Sequence, residues 1–312
     1  MLDVATSPLS RSDLDSLGMS RADLDSNLQR GTLIRVRRGF YSSNDELEQR
    51  SAHRRLMAAT WPLVDQGSVF THESAAVLHG LPLPTVPTSR VFMTRRSPGH
   101  GNASPALRVR WTKLDGSEVT MIDGFPVSTL ARTVTDLARQ LPYEWGVAVC
   151  DAALRADLAP SMLEETLRRH PGLRGLPKAR NVAKFADARS ESPAESISRV
   201  QIAQAGLPTP VLQYEIIDAN GVVVARTDFG WPEYGLVGEV DGKWKYGELL
   251  KPGQTPQDAI MDEKRREERI RQQGLWIVRW DMSTLNRRGE LGRLVRRAMQ
   301  NQQRLHPRPT PH

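Results

Sequence analysis

Glu195, Asp228 and Glu239, with Asp241 and Lys243 just behind them, are the residues of this chain whose types and spacing could do chemistry. Glu195 lies in SPAESISRVQIAQAG, which reads as a helix. Asp228 falls near the end of GVVVARTDFGW, and Glu239 lies within LVGEVDGKWKY. Both of these runs are apolar and β-branched, so they read as strands. A carboxylate on an apolar strand is costly to bury unless something compensates it. Several converging carboxylates can be compensated together by a hard divalent cation, Mg²⁺ or Mn²⁺. That combination performs metal-assisted phosphodiester cleavage. Side chains alternate along a strand, so Glu239, Asp241 and Lys243 share one face if the strand stays extended past Gly242. Asp228 and Glu239 would hold the metal, Glu195 would be a further ligand or orient a water, and a nearby lysine would meet developing negative charge. The competing reading makes Asp228, Glu239 and Asp241 solvent-facing strand-end or turn acids, because Asp-Gly is a common turn pair.

The elements that must position these residues follow one another in a definite order. A helix around 193–205 precedes strands at VLQYEII (211–217), GVVVARTDFGW (221–231) and LVGEV (236–240). A charged segment at 258–273 has helix-forming composition and stops at Gly274, and LWIVRW (275–280) reads as a last short strand. This αβββαβ order, with its acids, resembles the core of the PD-(D/E)xK restriction-endonuclease-like superfamily. Within it the chain is similar to the branch related to the very-short-patch-repair endonuclease (Vsr-like), whose relatives carry an E-x-D-G strand like EVDG here. The resemblance implies Mg²⁺ or Mn²⁺ held by Asp228, Glu239 and Glu195. The chain departs from the family pattern at three places. Thr227, not proline, precedes Asp228; Asp241 stands where the family has lysine; and Lys243 is displaced by two residues. Lys264 and Arg265 on the next helix are then candidates to supply the missing positive charge. The alternative is a regulator that keeps the nuclease fold without turnover, since folds outlive their chemistry.

The other end of the chain has a different character. Residues 9–17 read as a short helix, Ser20 caps a second helix that closes at Gly31, and TLIRVRRGFY reads as a basic strand. Two helices, a tight turn and a basic strand resemble a winged helix-turn-helix, whose second helix enters the major groove. That helix would present Arg21, Asn27, Gln29 and Arg30, with Arg35, Arg37 and Arg38 meeting phosphates. GTLIRVRRGFYSS is similar to the N-terminal domain of abortive-infection (AbiEi-type) antitoxins, with THESAAVLHGLPLP and DGFPVSTLARTVTDLAR as further matching stretches. That resemblance implies a DNA-binding transcriptional autorepressor of the type IV antitoxin kind, with a cognate toxin as partner. The competing reading is a small helical module that contacts protein.

With 312 residues the chain is too long for one average domain. An α+β multidomain protein is expected, with a winged-helix domain over 1–60 and a middle α/β region and linker over 61–185. The nuclease-like domain would cover 186–302, followed by a disordered tail over 303–312. The net charge of +7, mostly arginine, agrees with a polyanionic partner such as DNA. No run of eighteen apolar residues and no signal peptide is evident, and the single Cys150 fits a reducing cytoplasm. Cys150 sits in an amphipathic helix and reads as a buried structural thiol. His72 and His79 are seven apart, two turns on one helix face, without the spacing of a metal site, and read as packed or hydrogen-bonded.

Overall fold

The structure, a computed structural model, describes residues 7–45, 47–95, 103–241 and 255–305. The chain forms two compact units, one made of residues 1–141 and 157–181 and the other of 142–156 and 182–312.

The first unit opens with β1 (Leu9–Ser10), α1 (Arg11–Ser16), α2 (Arg21–Gln29), β2 (Leu33–Arg37) and β3 (Phe40–Ser43). These strands make a three-stranded antiparallel sheet in the order β1-β3-β2. Both helices start with the same device. Ser10 and Ser20 accept from the backbone N–H three residues on, while Asp13 and Asp23 reach back to the cap N–H. Leu14, Leu24 and Tyr41 pack under the two helices with Leu28 and Leu33 beside them. The run expected as one strand at TLIRVRRGFY is instead a hairpin, because Gly39 takes φ +83 and turns the chain.

Then follow α3 (Gln49–Thr60), β4 (Ser68–Phe70), α4 (His72–Leu78), β5 (Val91–Arg95), β6 (Ala103–Ser104), β7 (Leu107–Trp111), β8 (Val119–Ile122), β9 (Phe125–Ser128) and α5 (Leu130–Gln140). The six strands form a mixed sheet ordered β6-β7-β5-β4-β9-β8. Asp123 and Gly124, both at positive φ, make the tight turn between β8 and β9. β4 spans only Ser68–Phe70. Three residues are too short to show a strand period. The core of this sheet gathers Leu56, Met57, Phe70, Val91, Met93, Phe125 and Val127. Beneath it a charged network is fully buried. Arg132, 0% exposed, donates to Asp136 Oδ2 at 2.9 Å and to Glu118 Oε2 at 3.0 Å.

α6 (Tyr143–Arg155) belongs to the second unit, α7 (Pro160–Arg169) to the first, and α8 (Leu176–Phe185) spans the change from one to the other. Two stretches differ from the sequence expectation: residues 142–156 and 182–185, both read with the middle region and linker over 61–185, pack with the C-terminal residues, and the end of that stretch is α8. Turn-rich composition hid a helix whose buried Leu176, Ala179 and Val182 lie on one stripe.

The second unit continues with α9 (Pro193–Gln204), β10 (Val211–Ile217), β11 (Val223–Trp231), β12 (Leu236–Asp241), α10 (Pro256–Gln272), β13 (Trp276–Asp281), α11 (Met282–Leu285) and α12 (Glu290–Leu305). The sheet order is β10-β11-β12-β13, antiparallel except for the parallel β12–β13 pair. A parallel pair needs a crossover, and α10 supplies it. Helix, three strands, helix and strand thus occur in the expected order. One face of the sheet packs Leu212, Phe229, Trp231, Leu236, Val278 and Trp280 against Ile197 and Ile202 of α9 and Leu291 and Val295 of α12. The other packs Ile216, Ala225 and Val237 against Ile270 of α10. α12 runs on to Leu305, so the residues expected as a tail from 303 begin as helix, and 306–312 lie outside the described residues.

Candidate functional site

Glu239 faces the α10 side of the second unit's sheet, where Arg266 of α10 meets it. Gly238 presses on Trp280, since a Cβ there would lie 2.6 Å from the indole Cη2. Alternation therefore places Val237 and Glu239 on the opposite face, toward α10. Asp228 sits at the position where β11 and β12 part. Their last paired residues are Phe229 and Gly238, and beyond them the Val240 N–H donates to Asp228 Oδ2 at 2.8 Å.

Glu195 enters from the first turn of α9. Ser192 caps that helix through the Glu195 N–H. The carboxylate is 7% exposed and accepts at Oε2 from the Glu191 N–H and from Gln213 Nε2, each at 2.8 Å. No donor among the described residues reaches Glu195 Oε1 or Asp228 Oδ1.

Burial pushes the Asp228 carboxyl up to about 6. The Val240 N–H opposes the rise, and the charges of Glu195, Glu239 and Glu191 add to it. Asp241, half-buried, is raised by burial as well; Arg279 opposes the rise, and Glu239 and Asp281 add to it. Lys243 lies outside the described residues.

Glu239 is held differently. Arg266 of α10 donates to its Oε1, and Arg279 Nε of β13 donates to its Oε2 at 3.0 Å. Arg279 continues to Glu263 Oε1 at 2.6 Å and Glu267 Oε2 at 3.0 Å. Burial works against the Arg266 charge, but Glu239 and Glu263 outweigh it and raise its pKa. The positive charge beside the acids is thus arginine from positions 266 and 279. Lys264 and Arg265, considered for that role from sequence, are exposed, and Arg265 lies 3.7 Å from Asp262 at the surface. A helical signal could have found Arg266. It stands one turn before the buried Ile270, on the stripe that α10 turns to the sheet.

No group of three or more His, Cys, Asp and Glu side chains disposed to hold one metal ion occurs among the described residues. The expected three-acid grip is not assembled, because Glu239 is committed to two arginines. What the site offers a cation is narrower. Glu195 and Asp228 both present carboxylate oxygen, the donor that hard cations prefer, and each keeps one oxygen without a donor. Mg²⁺ is commonly held by one or two carboxylates, with water and phosphate oxygens completing the shell. These two acids are donors of that type, but among the described residues they are not joined by a third ligand into a metal-holding group.

At the N-terminus the predicted DNA-contact residues divide into two groups. Arg21, Arg30, Arg35 and Arg38 are exposed, and Arg37 is half-buried. Among the described residues none of them forms an ion pair. Arg35 stacks over Tyr41 at 5.8 Å, and the Nε and NH1 of Arg37 are buried without a hydrogen-bond partner. Asn27 is committed internally. Its Nδ2 donates to Asp23 O at 2.8 Å, and its Oδ1 accepts from Thr32 Oγ1 at 2.7 Å, which closes the end of α2. The acids on these helices are also engaged, Asp13 and Asp23 in caps and Asp15 with Arg11.

The other singled-out residues have structural settings. Burial pushes the Cys150 thiol up to about 12, so its thiolate is inaccessible at neutral pH. His79 Nε2 bonds Ser128 O at 2.8 Å. His72 is buried at φ +54, with Nδ1 3.0 Å from Thr71 Oγ1 and Nε2 3.3 Å from Arg110 NH1. Arginine can only donate, so His72 Nε2 accepts and Nδ1 carries the proton.

Comparison with known proteins places this architecture. Residues 68–187 match the family described as AbiEi antitoxin C-terminal domain. Two relatives, the uncharacterized proteins MT2308 and Rv2248 from two strains of Mycobacterium tuberculosis, are each 30% identical over 270 residues, which is 80% of this chain and 93% of theirs. The chain belongs to the family of these mycobacterial proteins. Among solved structures, the crystal structure of the RV2827C protein from Mycobacterium tuberculosis matches 68% of this chain and 84% of its own, with 15% identity and a TM-score of 0.39. No helix among the described residues is long and apolar enough to cross a membrane.

Proposed function

We propose that the protein is a DNA-binding regulator of the antitoxin type, with its N-terminal segment on the DNA and a cognate toxin as partner. The observation that carries this reading is the segment β1-α1-α2-β2-β3 with five arginines in no ion pair among the described residues. Arg37 is half-buried with its Nε and NH1 unpaired, a costly state that an anion such as phosphate compensates, and the four exposed arginines add positive charge around it. The antitoxin-type domain that follows in the chain supports the regulatory part. Fluorescence anisotropy with DNA from upstream of the protein's own gene tests it. Replacing Arg37 and Arg38 together by alanine should weaken binding and reduce the slope of affinity against salt by about 0.9 for every phosphate left without its arginine. Unchanged retention on DNA would transfer the segment to a protein-docking role.

A second reading, divalent-cation-dependent phosphodiester hydrolysis in the second unit, is favoured by one specific observation: the Glu195 charge bears on the Asp228 carboxyl, and each has an oxygen that receives no donor among the described residues. A bound Mg²⁺ or Mn²⁺ would activate water and polarise the phosphoryl oxygen. Glu195 and Asp228 would hold it. Arg266 and Arg279 would face the substrate's negative charge once Glu239 exchanges partners. Incubation with plasmid, single-stranded DNA and RNA in Mg²⁺ or Mn²⁺ tests it. Cleavage should vanish with EDTA and in Asp228→Ala, and the absence of cleavage on every substrate leaves the regulator alone.

A further inference from the structure

Two charged helices of the second unit make opposite use of arginine. α10 carries five acids and five cations, and it pairs them along its own surface. Arg265 lies 3.7 Å from Asp262, Arg266 3.2 Å from Glu263 and Arg271 2.5 Å from Glu267. Such i,i+3 and i,i+4 pairs are what a solvated helix face carries. α12 has four arginines and a single acid, Glu290. Arg287 and Arg288 stand just before it and are exposed, as are Arg293, Arg296, Arg297 and Arg304. Among the described residues, Arg293 is the one member of these six in an ion pair, with Glu290 at 2.7 Å. Arg296 donates to Ala205 O at 2.6 Å and so closes the end of α9. A surplus of positive charge therefore faces solvent along α12.

The surplus is also ordered in space. The bond from Arg293, then the charges of Arg293, Arg287 and Arg297, hold the Glu290 carboxyl below its ordinary range, so three guanidinium groups converge on one carboxylate. With 3.6 residues per turn, Arg293, Arg297, Gln300 and Arg304 fall within about 60° of the helix circumference. That stripe is about 16 Å long, more than the major-groove width of about 12 Å. Its two ends can thus meet phosphates of both strands of a duplex.

The chemistry of this face selects among polyanions. Leu291, Val295, Ala298 and Met299 are packed in the core, so α12 has no apolar face left for a bilayer, which a helix lying on a membrane requires. Between the arginines the exposed side chains are the amides Gln300, Asn301 and Gln303. Leu305, at the helix end, is the one large apolar side chain of α12 exposed among the described residues. A protein interface is built on an apolar or aromatic centre, and this face has none. Guanidinium and amide groups are the donors that meet phosphates and base edges. We propose that the exposed face of α12 is a nucleic-acid contact surface in its own right, where Arg293, Arg297 and Arg304 grip the phosphate backbone of duplex DNA. This surface is separate from the N-terminal segment and does not depend on it.

The test is fluorescence anisotropy of the full chain with a duplex of unrelated sequence across a salt series, with thermal unfolding measured alongside. Arg293→Ala, Arg297→Ala and Arg304→Ala together should reduce the slope of log affinity against log salt by about 2.7, at about 0.9 for each phosphate lost. The melting temperature should stay where it is, because exposed side chains contribute little to stability. Lys264→Ala, Arg265→Ala and Arg269→Ala remove the same charge from α10 and should leave the slope unaltered. The loss at α12 should persist in a chain that also carries Arg37→Ala and Arg38→Ala. An α12 variant with the slope of the unaltered chain, an equal loss in the α10 variant, or binding to phosphatidylserine vesicles in place of the duplex would each overturn the surface. If Arg37→Ala with Arg38→Ala alone abolished retention on the unrelated duplex, the α12 surface would fall while the regulator reading stood. If only the α12 variant lost retention, the surface would stand and the N-terminal reading would fall.

Discussion

Arg279 and Glu239 occupy the same register position on the parallel strands β12 and β13, and the arginine Nε donates to the carboxylate at 3.0 Å. The guanidinium is shared among three acids, since Glu263 and Glu267 of α10 also accept from it. It therefore fastens the crossover helix to the strand it leads into. Arg279→Ala should leave Glu239 and Glu263 to Arg266 and Glu267 to Arg271, with the cation they share removed. The group is part-exposed, which limits the loss to about 1–2 kcal/mol. Urea unfolding measures it, and the loss should shrink in high salt as the acids are screened.

Asp228 should make the stability of the second unit depend on pH in an unusual direction. Its folded pKa, about 6, lies above the ordinary aspartate value of 3.8. The folded state thus holds the proton more tightly than the unfolded one. Stability falls as pH rises from about 4 to about 6 and is flat beyond. Asp228→Asn removes this titration and can still accept from the Val240 N–H. The variant should melt above the unaltered protein near pH 7 and lose that advantage near pH 4. An equal difference at both pH values would mean that Asp228 ionises freely.

Gly238 has no room for a side chain. A Cβ would lie 2.6 Å from Trp280 Cη2 and 3.2 Å from Trp231 Cζ3. These rings are buried and stacked through Phe229, so they cannot swing aside. Gly238→Ala should cost about 1–3 kcal/mol by overpacking, read as a lower denaturation midpoint.

In the first unit, Arg132 neutralises Asp136 and Glu118 with no solvent access. Arg132→Ala removes the cation the two buried acids share, leaving Asp136 to Arg139 and Glu118 to His170. The expected cost is about 3–5 kcal/mol, enough to leave little folded protein at physiological temperature. A circular-dichroism melt shows it. Retention of the full transition temperature would mean that the acids are protonated together.

Much of this arrangement was legible in the amino-acid order. β10 follows its apolar run residue for residue, and α9, β11, β12, α10 and β13 fall within a few residues of their sequence patterns, because each is bounded by a cap, a glycine or a change of period. Ser20 and Gly31 bracket α2 for the same reason. The acids at 195, 228 and 239 stood out because carboxylates on apolar strands are costly. Residues 142–156 and α8 were misjudged, since membership in a unit is decided by residues distant in sequence. Composition did not separate the cations, and only the helical stripe shared with Ile270 singles out Arg266. Lys264, Arg265 and Arg266 are adjacent and alike in type, and only the packing of Ile270 turned Arg266 inward.

Gln213, at φ +51 inside β10, marks the limit most sharply. No propensity assigns a left-handed backbone to glutamine inside a strand. That conformation exists because the two cores on opposite faces of the sheet, the register with β11 and the bond to Glu195 jointly outweigh its strain. The sequence by itself determined which residues carry charge and which segments form helices and strands. Tertiary structure decided which charges meet, because meeting depends on helix rotation and strand register, and neither is a property of neighbouring residues.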